Sequence, residues 1–159
     1  MGSVVALAGG VGAAKLLRGL VRIVPPDELV IIGNTGDDME LYGLHISPDL
    51  DIVMYTLAGI VDETKGWGVS GDTFSCLDML ARMGYEKWFK LGDRDLATHM
   101  IRTELLKDGM RLSEVTAELC KRLNVRVKLL PMSNDPVRTK VRTNHGTLEF
   151  QECAHPFLS

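Results

Sequence analysis

Two short runs of consecutive hydrophobic residues lie near the start of the chain, and each is typical of a strand buried in a parallel sheet. The first run is "VVALA" and the second is "LVIIG". Between them, the leucines of "AAKLLRGLVRIV" recur at helical spacing, and "PPDE" ends that helix. Strand, helix and strand in this order predict a βαβ unit with parallel strands.

The rest of the hydrophobic pattern predicts further helices, one more strand and a hairpin. Ser47 before Pro48 marks a helix start, and Asp72 opens "DTFSCLDMLARMG" as a predicted N-cap. Two more amphipathic helices are predicted in "DLATHMIRTELLKDG" and "LSEVTAELCKRLN", followed by a strand in "VRVKLLPM". Finally, "VRTKVRTNHGTLEFQE" alternates around "NHG", which predicts a hairpin. The pattern therefore predicts an α/β fold.

Composition narrows the class of protein. The chain has 159 residues, 45% of them hydrophobic and 25% charged, with a formal charge of -3, which is typical of one soluble globular domain. Without a basic block, a nucleic-acid partner is not expected, whereas a small anionic ligand needs only a local site. The three cysteines are far apart, which argues against a disulfide framework or a zinc site and favours a reducing cytoplasm. The sequence "MGSVVALAGG" resembles neither a signal peptide nor a membrane span.

A glycine turn, "AGGVGAAK", joins the first predicted strand to the first helix. Gly9, Gly10 and Gly12 would expose backbone N–H groups at a helix N-terminus, where the helix dipole favours an anion such as a phosphate. The match to known phosphate loops is incomplete, because Lys15 occupies the place of a third glycine and no G-K-[ST] ending follows. A tight turn that needs glycine only for packing is the alternative interpretation.

An aspartate-rich segment, "NTGDDMELYGLHISPDLD", follows the second predicted strand. Aspartate and asparagine are common in turns because they bond their own backbone. However, this segment leaves the carboxyl end of a parallel strand, which is the usual ligand edge of such sheets. Several carboxylates there would repel one another unless a cation shares the site, and Mg²⁺ suits carboxylates combined with phosphates. We therefore predict a metal or catalytic role for at least one of Asp37, Asp38, Asp49 and Asp51.

Three other segments carry polar residues that are compatible with a ligand. "KLGDRDLATH" brings Lys90 and Arg94 close to a polar helix face that Asp95, His99 and Arg102 can share, although a solvated, salt-bridged face explains it equally well. In "PMSNDP", the residues after the late strand lie at its carboxyl edge and either touch a ligand or form a plain turn. Trp67 either stacks on a ring or anchors its loop.

Taken together, "LAGGVGAAKLLRGL", the aspartate-rich segment, "GWGVSGDTF", "KLGDRDLATH", "LSEVT" and "PMSNDPV" resemble the 2-phospho-L-lactate transferases of coenzyme F-420 biosynthesis, from residue 4 to residue 152. This resemblance implies a Rossmann-like, three-layer parallel sheet with helices on both faces, usually in a homodimer that requires Mg²⁺. It also implies transfer of a phospholactyl or phosphoenolpyruvyl group from a guanosine diphosphate carrier to the ribityl hydroxyl of 7,8-didemethyl-8-hydroxy-5-deazariboflavin, with release of GMP.

The resemblance also implies roles for individual residues. Asp51 and Lys90 are expected to bind the deazaflavin, and Asp51 is a candidate general base. Asp37 and Asp38 are the predicted Mg²⁺ ligands. The remaining candidates are expected to contact the donor or the deazaflavin: Gly9, Gly10, Gly12, Asn34, Thr35, Asp49, Arg94, Ser133 and Asp135.

Two departures from the family pattern carry expectations of their own. Asn134 replaces the aspartate of the more usual "MSDDP", so a role that needs charge there is in doubt. Family members are about twice as long, on the scale of two domain-sized units. We therefore predict a truncated chain in which residues 1–152 are the N-terminal part of a transferase-like domain and residues 153–159 a divergent tail. The alternatives are a non-catalytic nucleotide-binding regulator, similar to gluconeogenesis-factor proteins, and an inactive fragment.

Overall fold

The computed structural model describes residues 3–144, 146–150 and 153. Residues 154–159 of the predicted tail and His145 of the predicted "NHG" turn lie outside the described residues. No helix in the described part of the chain combines the length and the apolar character needed to cross a bilayer.

A three-stranded parallel sheet forms the centre of the fold. Its strands are β1 (Val4–Ala8), β2 (Leu29–Gly33) and β5 (Lys128–Pro131). Strands β3 and β4, which come between β2 and β5 along the chain, form a separate hairpin that is described below. The strand order is β1-β2-β5, with Ala6 opposite Ile31 and Ile31 opposite Leu129. The predicted βαβ unit and the predicted late strand are therefore confirmed.

The helices that the described residues form in full are α1 (Gly10–Leu20), α2 (Pro48–Leu57), α3 (Ser75–Arg82), α4 (Asp93–Lys107) and α5 (Leu112–Arg122). Each begins within a few residues of a start predicted from the sequence. The late hairpin is confirmed as β6 (Lys140–Thr143) paired with β7 (Gly146–Glu149).

The main hydrophobic core lies on one face of the sheet. Leu29, Ile31 and Leu129 of the strands pack in it with buried residues of α1, α2 and α5. The side chains that alternate with them belong to the opposite face, and none of these packs against this core: Val5, Leu7, Val30, Ile32 and Leu130. The parallel sheet with its helices is thus confirmed, while a helical layer on this second face is not among the elements formed by the described residues.

The aspartate-rich segment contains a small hairpin that the sequence pattern does not predict. Strand β3 (Met39–Leu41) pairs antiparallel with β4 (Leu44–Ile46). Tyr42 and Gly43, the two residues between them, both have positive φ, as a tight two-residue hairpin turn requires. Met39 and Ile46 pack with Leu91 in a second hydrophobic cluster. The hairpin separates the first pair of aspartates from the second along the chain.

Helices α3 and α4 cap each other. The Asp72 carboxylate accepts hydrogen bonds from the backbone N–H groups of Arg94 and Asp95 in the first turn of α4, at 2.8 and 3.1 Å. The Asp93 carboxylate accepts them from Ser75 and Cys76 in the first turn of α3, at 3.0 and 2.9 Å. The prediction that Asp72 caps its own helix is wrong, because its side chain reaches across to the next helix.

Candidate functional site

The glycine turn lies between β1 and α1, as predicted. Gly9 is the N-cap residue of α1 and has no side chain to occupy the free N–H groups of the first turn. The first turn contains no acidic residue either. The N-terminus of α1 therefore retains the partial positive charge that favours a bound anion.

The side chain of Asp49, in the first turn of α2, lies directly against this glycine turn. A Cβ atom built on Gly9 would lie 3.3 Å from Asp49 Oδ2, and one on Gly10 would lie 3.4 Å from Asp49 Oδ1. Asn34 Nδ2 donates a hydrogen bond of 2.7 Å to Asp49 Oδ2, and Gly36 N donates one of 2.9 Å to Asn34 Oδ1. The absence of side chains at Gly9 and Gly10 thus allows the Asp49 carboxylate to lie close to the N-terminus of α1.

Asp37, Asp38 and Asp49 form a group of neighbouring carboxylates at this edge of the sheet. Burial raises the pKa of Asp37, and the nearby charges of Asp49 and Asp38 raise it further. The raised pKa means that a negative charge on Asp37 is unfavourable in this environment. A cation would relieve that cost, which is the physical argument for a metal ion here.

Buried oxygen atoms near Asp37 support the same argument. Asp38 Oδ2 accepts a hydrogen bond of 2.8 Å from Ser47 Oγ and lies 3.1 Å from His45 Nε2. Its other oxygen, Oδ1, is buried without a hydrogen-bond partner among the described residues, and so is Thr35 Oγ1. Carboxylate and hydroxyl oxygens are ligands that Mg²⁺ accepts. The residues present therefore fit the metal ion that the sequence predicts at Asp37 and Asp38.

Asp51 lies two residues after Asp49 but in a different environment. The residue is 4% exposed, and both of its side-chain oxygens accept hydrogen bonds from the guanidinium group of Arg102 in α4, Oδ2 at 3.1 Å. Burial raises the pKa of Asp51, while Arg102 and then His99 act in the opposite direction. Burial also opposes the charge on Arg102, yet the Asp51 carboxylate raises the pKa of Arg102. Asp51 is thus engaged in an ion pair between α2 and α4.

The ion pair continues into a buried polar network. Arg102 Nη1 lies 3.1 Å from His99 Nδ1, and His99 Nε2 lies 3.2 Å from Asp95 Oδ1. Tyr55 donates a hydrogen bond of 2.6 Å to the same Asp95 oxygen. The interpretation of this α4 face as solvated is wrong, because Asp95, His99 and Arg102 are all buried.

One ligand atom each from Asp51, Asp95 and His99 lie within 4.8 Å of one another, which is compatible with a metal ion. The guanidinium group of Arg102 already supplies a positive charge to Asp51 in this cluster. A second cation beside Arg102 would be repelled in a buried environment. We therefore interpret the cluster as a structural ion-pair network.

The other predicted residues are more dispersed. Lys90 is exposed before α4 and forms no ion pair with the described residues, while Arg94 Nη1 donates a hydrogen bond of 2.8 Å to the Ser70 carbonyl. After β5, Ser133 Oγ accepts a hydrogen bond of 3.0 Å from Asp135 N, which is a turn contact. Asn134 Oδ1 accepts one of 2.9 Å from Ser113 N in the first turn of α5, so an amide suffices at that position.

Sequence reasoning did not predict His45, Ser47 and Tyr55 as partners of the aspartates. His45 and Ser47 were brought to Asp38 by the unpredicted β3–β4 hairpin. Tyr55 is four residues after Asp51, so helical spacing alone places both side chains on one face of α2. The spacing of Asp95, His99 and Arg102 on α4 contains the same kind of signal.

A cavity of about 510 Å³ lies away from these groups, between α5 and β5. Cys120 is among its lining residues and is itself buried in the main core. Burial raises the pKa of the Cys120 thiol to about 12. The cavity contains none of the predicted site residues.

Comparison with known proteins gives a consistent result. The family described as "2-phospho-L-lactate transferase CofD" matches residues 4–154. A phosphoenolpyruvate transferase of Kitasatospora aureofaciens is 52% identical over 155 residues, covering 94% of this chain and 48% of that protein. A 2-phospho-L-lactate transferase of Methanosarcina acetivorans is 44% identical, covering 92% of this chain and 48% of that protein. The chain thus spans about half the length of the curated relatives it matches.

Among solved structures, the crystal structure of protein BH3568 from Bacillus halodurans is similar to the chain with a TM-score of 0.48 and 19% identity. The similarity covers 94% of this chain and 46% of that structure.

Proposed function

Because the chain belongs to the 2-phospho-L-lactate transferase family, we propose that it forms part of a transferase of coenzyme F-420 biosynthesis. The proposed reaction moves a phospholactyl or phosphoenolpyruvyl group from a guanosine diphosphate carrier to the ribityl hydroxyl of the deazaflavin. The hydroxyl oxygen bonds to the phosphorus that bears the three-carbon acid, and the bond from that phosphorus to the bridging oxygen breaks. GMP leaves with the bridging oxygen, and the hydroxyl proton passes to solvent. We propose the cytoplasm as its compartment; the homodimer stays a prediction.

One observation carries this proposal: Asp49 lies against a glycine turn at a helix N-terminus, and Asp37 lies close enough to both Asp49 and Asp38 to feel their charges. The N–H groups of the turn suit a diphosphate, but the carboxylates alone would repel it. Mg²⁺ held by Asp37 and Asp38 would neutralise charge on the diphosphate and stabilise the leaving phosphate. Asp38 Oδ1 and Thr35 Oγ1, which are buried without a hydrogen-bond partner among the described residues, support this assignment.

The chain's own residues would bind and orient the reactants. Backbone N–H groups from Gly9 to Gly12 would hold the diphosphate. The hydrogen-bonded pair of Asn34 and Asp49 would keep the turn in place. Lys90, which is exposed, remains a proposed contact of the deazaflavin.

The role of Asp51 needs a change from the sequence-based hypothesis. A carboxylate that accepts hydrogen bonds from a guanidinium group on both oxygens is a poor proton acceptor. We propose instead that Asp51 is a positioning residue: its pair with Arg102 fixes the start of α2, and with it Asp49, against the glycine turn. A direct contact between Asp51 and the deazaflavin would require this pair to open.

We propose the enolpyruvyl donor as the first candidate substrate and the lactyl donor as the second. The higher identity to the phosphoenolpyruvate transferase supports that order of testing.

The proposal is tested by GDP binding and by product formation. We expect calorimetry to detect GDP binding to the chain with Mg²⁺. Asp37→Asn should weaken this binding at least tenfold, because it removes a proposed Mg²⁺ ligand. The variant should still fold, since the Asp37 side chain forms no hydrogen bond with the described residues. Asp27→Asn, in an exposed turn, is the matched control and should leave binding unchanged. Mass spectrometry of deazaflavin incubated with each guanylated donor and Mg²⁺ then identifies the transferred group, with a full-length relative as positive control.

If GDP affinity changes neither on removal of Mg²⁺ nor in Asp37→Asn, the result would contradict the proposed Mg²⁺ and diphosphate site. Intact GDP binding without any transfer product would instead indicate a nucleotide-binding protein, the alternative function considered above.

A further inference from the structure

The segment that leads into hairpin β6–β7 lies against the aspartate-rich segment. Thr139 N donates a hydrogen bond of 2.6 Å to the Gly36 carbonyl. A Cβ atom built on Gly36 would lie only 2.9 Å from Thr139 Oγ1, so a glycine is needed for this close approach. The residue after Gly36 is Asp37, a proposed Mg²⁺ ligand. The segment before β6 therefore adjoins the candidate site, although sequence reasoning assigned it no role beyond a hairpin.

Arg138, immediately before Thr139, brings a positive charge to the same place. Its Nη2 atom lies 3.6 Å from Glu40 Oε1 in β3. Glu40 is directly opposite His45 in the β3–β4 register, so both side chains lie on one face of that hairpin. His45 Nε2 in turn lies 3.1 Å from Asp38 Oδ2. The Arg138 guanidinium group thus reaches the face of the hairpin on which the Asp38 carboxylate, the other proposed Mg²⁺ ligand, is held.

The ion pair with Glu40 does not commit the Arg138 guanidinium group. A separation of 3.6 Å is too long for a hydrogen bond, and the Glu40 side chain is 67% exposed. Exposed ion pairs of this kind contribute at most about 1 kcal/mol to stability. Arg138 can therefore turn its planar fork of N–H donors towards a ligand at little cost in free energy.

The donor of the proposed reaction needs a cation of this kind. Besides its diphosphate, it carries the carboxylate of a three-carbon acid, and Asp37, Asp38 and Asp49 would repel both groups. Mg²⁺ and the N–H groups of the glycine turn are already assigned to the diphosphate, which leaves the carboxylate of the acid without a counter-charge. A guanidinium group matches a carboxylate in charge and in shape, because it can donate two parallel hydrogen bonds.

We propose that Arg138 is a specificity-determining residue that binds the carboxylate of the three-carbon acid on the guanylated donor. This inference rests on the proposed function. The enolpyruvyl group and the lactyl group both carry this carboxylate, so Arg138 would not distinguish the two donors from each other. It would favour either of them over a diphosphate ester of similar size that lacks the carboxylate.

The test measures the binding of two guanylated ligands that differ in this carboxylate alone. One is the lactyl donor, and the other is the isopropyl ester of GDP, in which a methyl group replaces the carboxylate. Each displaces a fluorescent GDP analogue from the chain in the presence of Mg²⁺. We expect the parent chain to bind the lactyl donor roughly tenfold more tightly than the ester, or better. Arg138→Gln should reduce this preference to less than twofold and leave the affinity for the ester unchanged.

Two further variants serve as controls. Arg142→Gln removes an exposed arginine of β6, farther along the hairpin, and should leave both affinities unchanged. Arg138→Lys keeps the positive charge without the planar fork, so a preference of about threefold should remain. Circular dichroism and urea unfolding should match the parent for all three variants, since the Arg138 ion pair with Glu40 is exposed.

Two results would overturn this inference alone. The first is a parent chain that binds the fluorescent GDP analogue but binds the lactyl donor and the ester equally. The second is an Arg138→Gln chain that keeps the preference of the parent. A parent chain that does not bind the GDP analogue at all would instead contradict the proposed function, and this inference with it, so the two failures are distinguishable.

Discussion

The aspartates of this chain show how little residue type alone says about role. Asp37 is half-buried beside two other carboxylates, and Asp51, only 14 positions later, is buried against Arg102. Sequence reasoning grouped them as one acidic cluster, and that grouping is right for Asp37, Asp38 and Asp49 but not for Asp51. The difference arises from Arg102, which is 51 positions from Asp51. A long-range partner of this kind has no local signal in a single sequence.

At the residue scale, Asp95 should make the stability of the fold depend on pH. Although burial acts in the opposite direction, His99 and the Tyr55 hydroxyl lower the pKa of Asp95 from its ordinary value of 3.8. A pKa that is lower in the folded state contributes stability above the unfolded pKa, and this contribution is lost as the pH falls through the folded pKa. Asp95→Asn should therefore cost about 2 kcal/mol at pH 7, and progressively less as the pH falls below about 4.

Urea unfolding at pH 7, 5 and 3.5 measures this difference. The exposed Asp27→Asn variant serves as the control and should be as stable as the parent at each pH. A cost of Asp95→Asn that stays constant from pH 7 to pH 3.5 would show that the Asp95 charge is not the cause.

At the element scale, local patterns predicted the helices well and their mutual contacts poorly. Hydrophobic spacing predicted α1, α2 and α5 because each buries apolar residues in the core, and it predicted α4 because its partly buried apolar residues pack against that core. The reciprocal caps of α3 and α4 could not be predicted, because each aspartate bonds the helix that is more distant along the chain. Asp72, before α3, accepts a hydrogen bond from the first turn of α4, and Asp93, in α4, accepts one from the first turn of α3. Gly92 makes this exchange possible, since a Cβ there would lie 2.0 Å from Asp72 Oδ2.

The pairing of α2 with α4 depends on Asp51 and Arg102, which gives a prediction at this scale. Asp51→Asn leaves a buried guanidinium group without its counter-charge and should cost about 3–5 kcal/mol. Arg102→Met leaves the buried carboxylate and should cost a similar amount. The double variant should be considerably more stable than the sum of the two costs implies, because neither charge is then left alone.

Chemical denaturation of the four proteins in this cycle measures the coupling. GDP affinity, measured in parallel, separates the positioning role from a purely structural one. If Asp51 positions Asp49, the double variant should regain stability but still bind GDP more weakly than the parent. Equal affinity in the double variant and the parent would contradict the positioning role.

At the scale of the whole molecule, the βαβ unit, the helices and the late hairpin were predictable because each depends on short-range periodicity. The second face of the sheet was not. The sequence of β1 is that of a covered strand, and periodicity cannot state what covers it. Motif resemblance predicted the family correctly, and the chain matches about half the length of its curated relatives. Local patterns and family motifs were therefore informative for different parts of the problem.

Because Cys120 is buried, its rate of alkylation should report how fast the core opens. A thiol whose pKa is raised to about 12 is almost wholly protonated at pH 8, and the thiolate is the form that alkylating reagents attack. Cys76, by contrast, is exposed and should be labelled within the first moments of exposure to reagent. Pulsed alkylation followed by mass spectrometry should thus find Cys120 modified only as fast as the core between α5 and the sheet opens.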